Sequence, residues 1–259
     1  MKILSFLICV LGLSLLISAS PDFVKSGIKN ESETYPGFAV VELFTSEGCS
    51  SCPSADALIA RIQKENEGKP VYILAFHVDY WNRLGWKDVF SDPAFTKRQR
   101  QYASWLKLPS VYTPQAVVDG KTEFVGSQEA SLRNAIAAGL GKKAVATIGL
   151  KNVKADKNQV VFDFHVDGLA GNSSLIVALV QKTAESKIRA GENAGRTLSH
   201  VQITRAVETI KLSEKTSGTG HINIPAGVGS DNLEVIVLLQ NNQNGAISAA
   251  NRTEMEKHI

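Results

Sequence analysis

The sequence predicts an α/β domain followed by a mainly antiparallel β-sandwich domain. Three observations carry that expectation. As far as residue 138, short apolar runs of strand type alternate with helical patterns. A Gly-Leu-Gly-Lys-Lys stretch at 139–143 then breaks the pattern, and six strand-like segments separated by polar turns follow it. Aromatic content changes at the same place, since Trp81, Trp86 and Trp105 all precede the break.

Taken in order, Met1-Lys2 leads into an apolar run over residues 3–17, and Ser18-Ala19-Ser20-Pro21 closes it. One basic residue, an apolar stretch and small residues form the pattern of a secretory signal peptide, assigned to residues 1–20. The run is too short and too weakly flanked for a membrane span. Membrane contact is therefore expected only through an uncleaved signal segment, and the mature chain is expected to be exported, periplasmic or secreted. Residues 21–36 are polar and aperiodic, as in a linker. Residues 38–44 form a buried-strand pattern, and Thr45-Ser46-Glu47-Gly48 ends it. Pro53 suits a first helical turn, where a missing N–H costs nothing. Ala55, Leu58, Ile59 and Ile62 continue at helical spacing.

Residues 71–78 form a second buried strand. A polar and aromatic stretch at 79–88 follows, then a helix over 93–107. Pro114 precedes a strand and turn at 115–120, leading into 123–125, and Ser127 is placed to cap a helix through Ala138. The α/β domain thus spans 37–141. Strands are expected at 144–153, 159–167, 174–183, 201–212, 219–224 and 233–240, giving a sandwich over 142–259.

The chemistry points to the cysteines. Cys9 falls in the signal segment, which leaves only Cys49 and Cys52 in the mature chain. Cys49-Ser50-Ser51-Cys52 follows a strand pattern and opens a helix pattern, where unpaired N–H groups and the helix dipole favour a thiolate. Such a pair can cycle between dithiol and a Cys49–Cys52 disulfide. The alternatives are a static clip and metal capture. A formal charge of +3 with no basic run gives no reason to expect nucleic acid. With so few cysteines the fold must rest on apolar cores.

Four motifs now support a resemblance. They are Val-Glu-Leu-Phe-Thr-Ser-Glu-Gly-Cys-Ser-Ser-Cys-Pro at 41–53, His-Val-Asp-Tyr-Trp at 77–81 with Leu-Gly-Trp at 84–86, Tyr-Thr-Pro-Gln at 112–115, and Gly-Glu-Asn-Ala-Gly-Arg at 191–196. Together they resemble a family of exported thioredoxin-like bacterial proteins, domain of unknown function 1223, over residues 38–245. The resemblance implies a thioredoxin-like fold for the first domain but no established reaction. It implies an exposed nucleophilic Cys49 and a buried resolving Cys52. It also implies a cis Pro114 facing the pair, with Thr113 and Tyr112 beside a bound substrate.

Thioredoxins place a buried acid on the strand that here carries Glu42, a candidate proton carrier. Glu42 lies one residue farther from the first cysteine than that pattern, which turns it to the other face unless a bulge intervenes. An edge-exposed or ion-paired Glu42 is the alternative. His77, Asp79, Tyr80, Trp81 and Trp86 leave the end of a strand, where α/β sheets gather ligands, and form a candidate substrate wall. Packing beneath the neighbouring helix is the bland reading of the same aromatics. Glu192, Asn193, Arg196 and His200 form a polar cluster whose default reading is a solvated turn; the resemblance suggests instead a latch of the sandwich to the first domain or a closure over the Cys pair.

Three functions follow. The first is an exported thiol–disulfide oxidoreductase acting on protein or small-molecule disulfides or dithiols, with no cofactor. The second is a copper-binding chaperone in which Cys49, Cys52 and His77 hold Cu(I). The third is a partner-binding module with a structural disulfide.

Overall fold

The computed structural model describes residues 35–156, 158–168, 171–212, 216–229 and 232–255. The signal peptide, Cys9 and most of the linker fall outside the described residues. Three helices and eleven strands are described, in the order β1 (Ala39–Thr45), α1 (Cys52–Glu65), β2 (Val71–His77), α2 (Pro93–Leu106), β3 (Gln115–Val118), β4 (Thr122–Val125), α3 (Glu129–Leu140), β5 (Ala146–Asp156), β6 (Gln159–Gly168), β7 (Ser173–Lys187), β8 (Thr197–Lys211), β9 (Ser217–Asn223), β10 (Leu233–Asn241) and β11 (Ile247–Glu254). No helix among the described residues is long and apolar enough to cross a membrane.

The fold class read from sequence needs correcting. The structure is mostly β, and a single mixed sheet of eight strands, ordered β11-β10-β7-β8-β2-β1-β3-β4, runs through both halves of the chain. It is neither a thioredoxin-like α/β domain nor a separate sandwich after one. The join is β8, whose Ile203 pairs in parallel with Ala75 of β2. Otherwise β2 would present an open edge of unpaired main-chain groups. The remaining strands, β5, β6 and β9, make a second antiparallel sheet.

Strand alternation sorts the cores. On β1, Ala39, Val41 and Leu43 pack against Ala55, Leu58, Ile59 and Ile62 of α1 and against Leu132 and Ile136 of α3. On β7 and β10, Leu175, Val177, Leu179, Val235 and Val237 meet Phe162, Phe164 and Ile222 of the small sheet. The alternate residues, Val40, Phe44, Ile176, Ala178, Ile236 and Leu238, share one core with Phe95 and Tyr102 of α2. The large sheet is therefore covered on both faces. Helices α1 and α3 and the small sheet lie over one face, and α2 lies over the other.

Most elements begin within two residues of their expected position, with four differences. β11 was not anticipated, because Ile-Ser-Ala-Ala-Asn-Arg-Thr-Glu has little strand character and is held by pairing with β10. β7 and β8 run to 15 residues each and form a long hairpin well beyond the apolar part of their sequences. Helix α3 starts at Glu129 behind Gln128 with no side-chain cap, so Ser127 is not its cap. The end of the expected linker is tied down, since Tyr35 and Ala144 exchange main-chain hydrogen bonds of 3.1 and 3.0 Å.

Candidate functional site

β1 and β2 are parallel and end level, Thr45 opposite His77. Beyond that edge the chain turns through Ser46 to Ser51 into α1. Ser46 Oγ accepts from the Gly48 N–H at 3.1 Å, and Cys49 N–H donates to the Ser46 carbonyl at 3.2 Å. Gly48 permits a close approach there, since a Cβ on it would come within 3.2 Å of Trp81 Cβ. Cys52 is the first residue of α1, with Pro53 following in the first turn. The two sulfurs are joined as the Cys49–Cys52 disulfide across a Cα–Cα distance of 5.4 Å.

Both cysteines are fully buried. The expectation of an exposed Cys49 is corrected, and the cover comes from far along the chain. The loop between β7 and β8 lays Asn193 on this turn. Its Nδ2 donates to the Glu47 carbonyl at 2.8 Å and to the Cys49 carbonyl at 2.9 Å. Glu192 accepts from the Ser50 N–H at 2.9 Å, and the Ser50 side chain together with that N–H holds its carboxyl below the usual range. Arg196 donates to Asn193 Oδ1 at 2.8 Å. Glu192 and Arg196 stay exposed, as in a solvated turn, while Asn193 is buried and latches the loop onto the cysteine turn.

Beneath the turn lies a nest of buried titratable groups. His77 Nδ1 and Asp88 Oδ2 are 2.7 Å apart. Asp88 also accepts from the N–H groups of Glu47 and Phe90, at 2.8 and 2.9 Å. Burial is the strongest single influence on Asp88 and pushes it up, yet His77 and these N–H donors together hold it below the usual carboxylate range. Burial likewise pulls His77 down, and Asp88, Asp56 and Glu47 outweigh it, so the imidazole is raised. The His77 ring meets the edge of His200 at 4.9 Å between centroids. His200 in turn stands 3.5 Å from Glu47 Oε1 and 3.7 Å from Asp56 Oδ2, ion-pair range but long for hydrogen bonds. His77 Nε2, His200 Nε2 and Glu47 Oε1 have no hydrogen-bond partner.

Asp56 was not anticipated from sequence. It sits one turn beyond Cys52 on the inner face of α1 and accepts from Thr45 Oγ1 at 2.9 Å. Burial raises its carboxyl, against the pull of His200, His77 and Thr45. A charged residue four positions after Cys52, among Ala55, Leu58 and Ile59, was the available signal.

The other predicted residues divide. Trp81 packs against Gly48 and donates from Nε1 to Thr113 Oγ1 at 2.8 Å. Trp86 donates to Glu47 Oε2 at 2.7 Å. The Thr113–Pro114 peptide is cis, and Pro114 lies beside the first turn of α1: a Cβ on Gly126 would sit 3.3 Å from Pro114 Cβ and 3.4 Å from Ala55 Cβ. Tyr80 is part-buried next in sequence to Trp81, and burial raises its hydroxyl. Asp79 turns to α2, where Thr96 donates to it. Tyr112 turns to β4 and donates to Glu123 at 2.6 Å, and burial and that carboxylate raise its hydroxyl.

Glu42 is not brought to the cysteines. With no bulge in β1 it faces α2, where Arg98 donates to both its oxygens at 2.5 and 2.9 Å and Tyr102 donates at 2.5 Å. The role of proton carrier therefore does not fall to Glu42. Among the described residues no group of three or more His, Cys, Asp or Glu side chains is placed to hold a metal ion, and the set Cys49, Cys52 and His77 is no exception.

The family model described as "Protein of unknown function (DUF1223)" matches residues 40–240. The chain belongs to this family. The match takes in the disulfide, the nest and the covering loop alike. No curated protein matches the chain. Among solved structures, the crystal structure of a protein from Agrobacterium tumefaciens is similar at 29% identity and a TM-score of 0.63, covering 85% of this chain and 97% of that one. A domain of the outer membrane lipoprotein Omp28 from Porphyromonas gingivalis reaches 12% identity and a TM-score of 0.27, covering 44% of this chain and 97% of that one. That second likeness is too slight to bear on fold or function.

Proposed function

We propose that this chain is an exported thiol–disulfide oxidoreductase whose working group is the Cys49–Cys52 pair. The observation that carries the reading is the position of the disulfide. It closes at the N-terminal turn of α1, directly followed on the same helix face by a buried carboxyl, Asp56, whose proton affinity is raised. A clip across two residues stabilises a fold only weakly, by about 2 kcal/mol through the unfolded chain. A surround of partly unsatisfied titratable groups is costly to keep for such a clip.

In the oxidised protein, a partner thiolate attacks Cys49 Sγ. The Cys49–Cys52 bond breaks, and its electron pair leaves on Cys52 as thiolate, which takes a proton from Asp56 when that carboxyl is protonated. A second partner thiolate then attacks the partner's sulfur in the mixed disulfide, releasing the partner disulfide and Cys49 thiolate, which the helix N-terminus favours. Two partner thiols are oxidised and one protein disulfide is reduced. The same steps reversed reduce a partner disulfide, and the potential relative to the partner fixes the direction.

A glutathione redox titration of the folded, mature protein tests this. A single reversible two-electron potential is expected. A disulfide that resists reduction until the chain unfolds would sink the reading. Export is supported by the N-terminal segment, and is checked by the mass of protein recovered from the cell envelope or medium, which should lack about 20 residues.

A further inference from the structure

The cover over the disulfide is built in an unusual way. Residues 188–196 form a compact loop closed at its base, where Ile188 N–H donates to the Arg196 carbonyl and Gly195 N–H to the Ile188 carbonyl, each at 2.9 Å. Gly191 has a φ of +76° and runs close to Trp86, within 3.2 Å of its Cβ were a side chain added. Every residue from 191 to 197 is exposed except Asn193, which is buried. The loop thus holds to the cysteine turn by one buried plug and one exposed carboxylate. A segment with so few buried contacts opens at low cost relative to the whole fold.

What those two side chains bind is equally specific. Asn193 gives an N–H to the Glu47 and Cys49 carbonyls, and Glu192 gives an oxygen to the Ser50 N–H. These three bonds go to main chain, and the Ser50 side chain also bonds Glu192. N–H donors for two carbonyls and an oxygen for an N–H are groups that a polypeptide main chain itself carries.

We propose that the β7–β8 loop is a displaceable lid over Cys49–Cys52, and that its displacing partner is a polypeptide whose own main chain replaces Asn193 and Glu192. The inference rests on the redox reading and names its substrate class. The lid excludes small thiols by covering the sulfurs. A cysteine within an extended peptide recovers the lost hydrogen bonds as it enters, so opening costs it less. The exchange chemistry is unchanged: peptide thiolates attack, the protein disulfide accepts the electron pair, and a peptide disulfide leaves.

The test measures reduction of the oxidised, folded protein by 2-mercaptoethanol and by a nine-residue peptide with one central cysteine, compared per thiolate. Wild type should react about tenfold faster with the peptide. In Asn193→Ala the 2-mercaptoethanol rate should rise about tenfold, and the peptide rate should change less than about threefold. Glu192→Ala, at an exposed position, should give the same pattern at about threefold and serves if Asn193→Ala does not fold. Equal 2-mercaptoethanol rates in wild type and folded variants would overturn the lid. A lid effect with no peptide preference in wild type would overturn the polypeptide assignment. If neither thiol reduces any variant short of unfolding, the redox reading itself fails.

Discussion

Two buried charged networks sit on the same sheet, and they are finished to different degrees. In the middle of β1, Glu42 receives both forks of Arg98 and the hydroxyl of Tyr102, while Gln240 bonds Arg98, Tyr102 and the Gly245 carbonyl. Arg98 also stacks over Phe76 and Tyr102. At the end of the same strand, Glu47, Asp56, His77, Asp88 and His200 are just as buried but leave ring nitrogens and a carboxylate oxygen without a hydrogen bond. A saturated network fixes α2, β1 and β10 in one arrangement. An unsaturated one beside a disulfide keeps groups whose protonation can change. Completeness of hydrogen bonding, more than burial or charge, separates scaffold from site here.

The largest expected effect falls on the scaffold. Arg98→Met leaves Glu42 buried without its partner and should cost about 3–5 kcal/mol in urea unfolding, while the redox potential of the folded protein stays unchanged. A shifted potential would mean that the two networks are coupled and the distinction is false.

Asp88→Asn comes next, at about 2–3 kcal/mol near pH 6, because it removes the partner of a buried His77. Its pH signature is more telling. His77 is raised in the folded state, so its contribution is full below its ordinary value of 6.5 and is lost as pH rises through the higher folded value. Asp88 is lowered, so its contribution is full above 3.8 and is lost as pH falls through its folded value. Asp56 and Glu47 act on the same imidazole and also raise it, and the His200 ring packs against it. Wild-type urea midpoints should therefore fall as pH rises above 6.5, and those of Asp88→Asn should fall less steeply there. A midpoint that rises with pH in wild type would contradict a raised His77.

Much of this contrast was legible in the sequence, and the exceptions have physical causes. The Cys pair at a helix start, the aromatic stretch after β2 and the cluster at 192–200 could be named, because turn chemistry and residue type are local. The one-residue offset of Glu42 already implied the wrong face, and β1 obeys that alternation. The fold class failed for a non-local reason. Periodicity marks β2 and β8 as strands but says nothing of their pairing. A clue lay in the runs Leu-Ile-Val-Ala-Leu-Val of β7 and Val-Ile-Val-Leu-Leu of β10, which are apolar at every position. A strand of a two-sheet sandwich alternates, whereas a strand apolar throughout is covered on both faces. Asp56 was missed because a lone acid on a helix is normally read as solvated.

Reducing the disulfide should cost about 2 kcal/mol or less in unfolding free energy, the amount a four-residue ring can contribute. The comparison is made with matched oxidised and reduced samples. A loss well beyond that would make Cys49–Cys52 part of the scaffold.

The smallest stability effect, and the sharpest test of the site, is expected at Asp56. Its carboxyl is raised by burial, so its contribution to folding is full below the ordinary value of 3.8 and declines as pH rises through the folded value. Once ionised, the buried group is a liability to the fold. Asp56→Asn keeps an oxygen for Thr45 Oγ1 and removes the charge, so stability above the folded value should hold or rise, by at most about 1 kcal/mol. Chemistry should move in the other register. A carboxylate one helical turn from Cys52 opposes a thiolate there, and removing it should lower the Cys52 thiol pKa by about one unit. The measurement is thiolate absorbance against pH in Cys49→Ser, with and without Asp56→Asn. A favoured Cys52 thiolate stabilises the reduced form, so the potential of the two-cysteine protein should become more oxidising with Asp56→Asn. If neither titration nor potential moves, Asp56 belongs with Glu42 among the residues that only hold the sheet together.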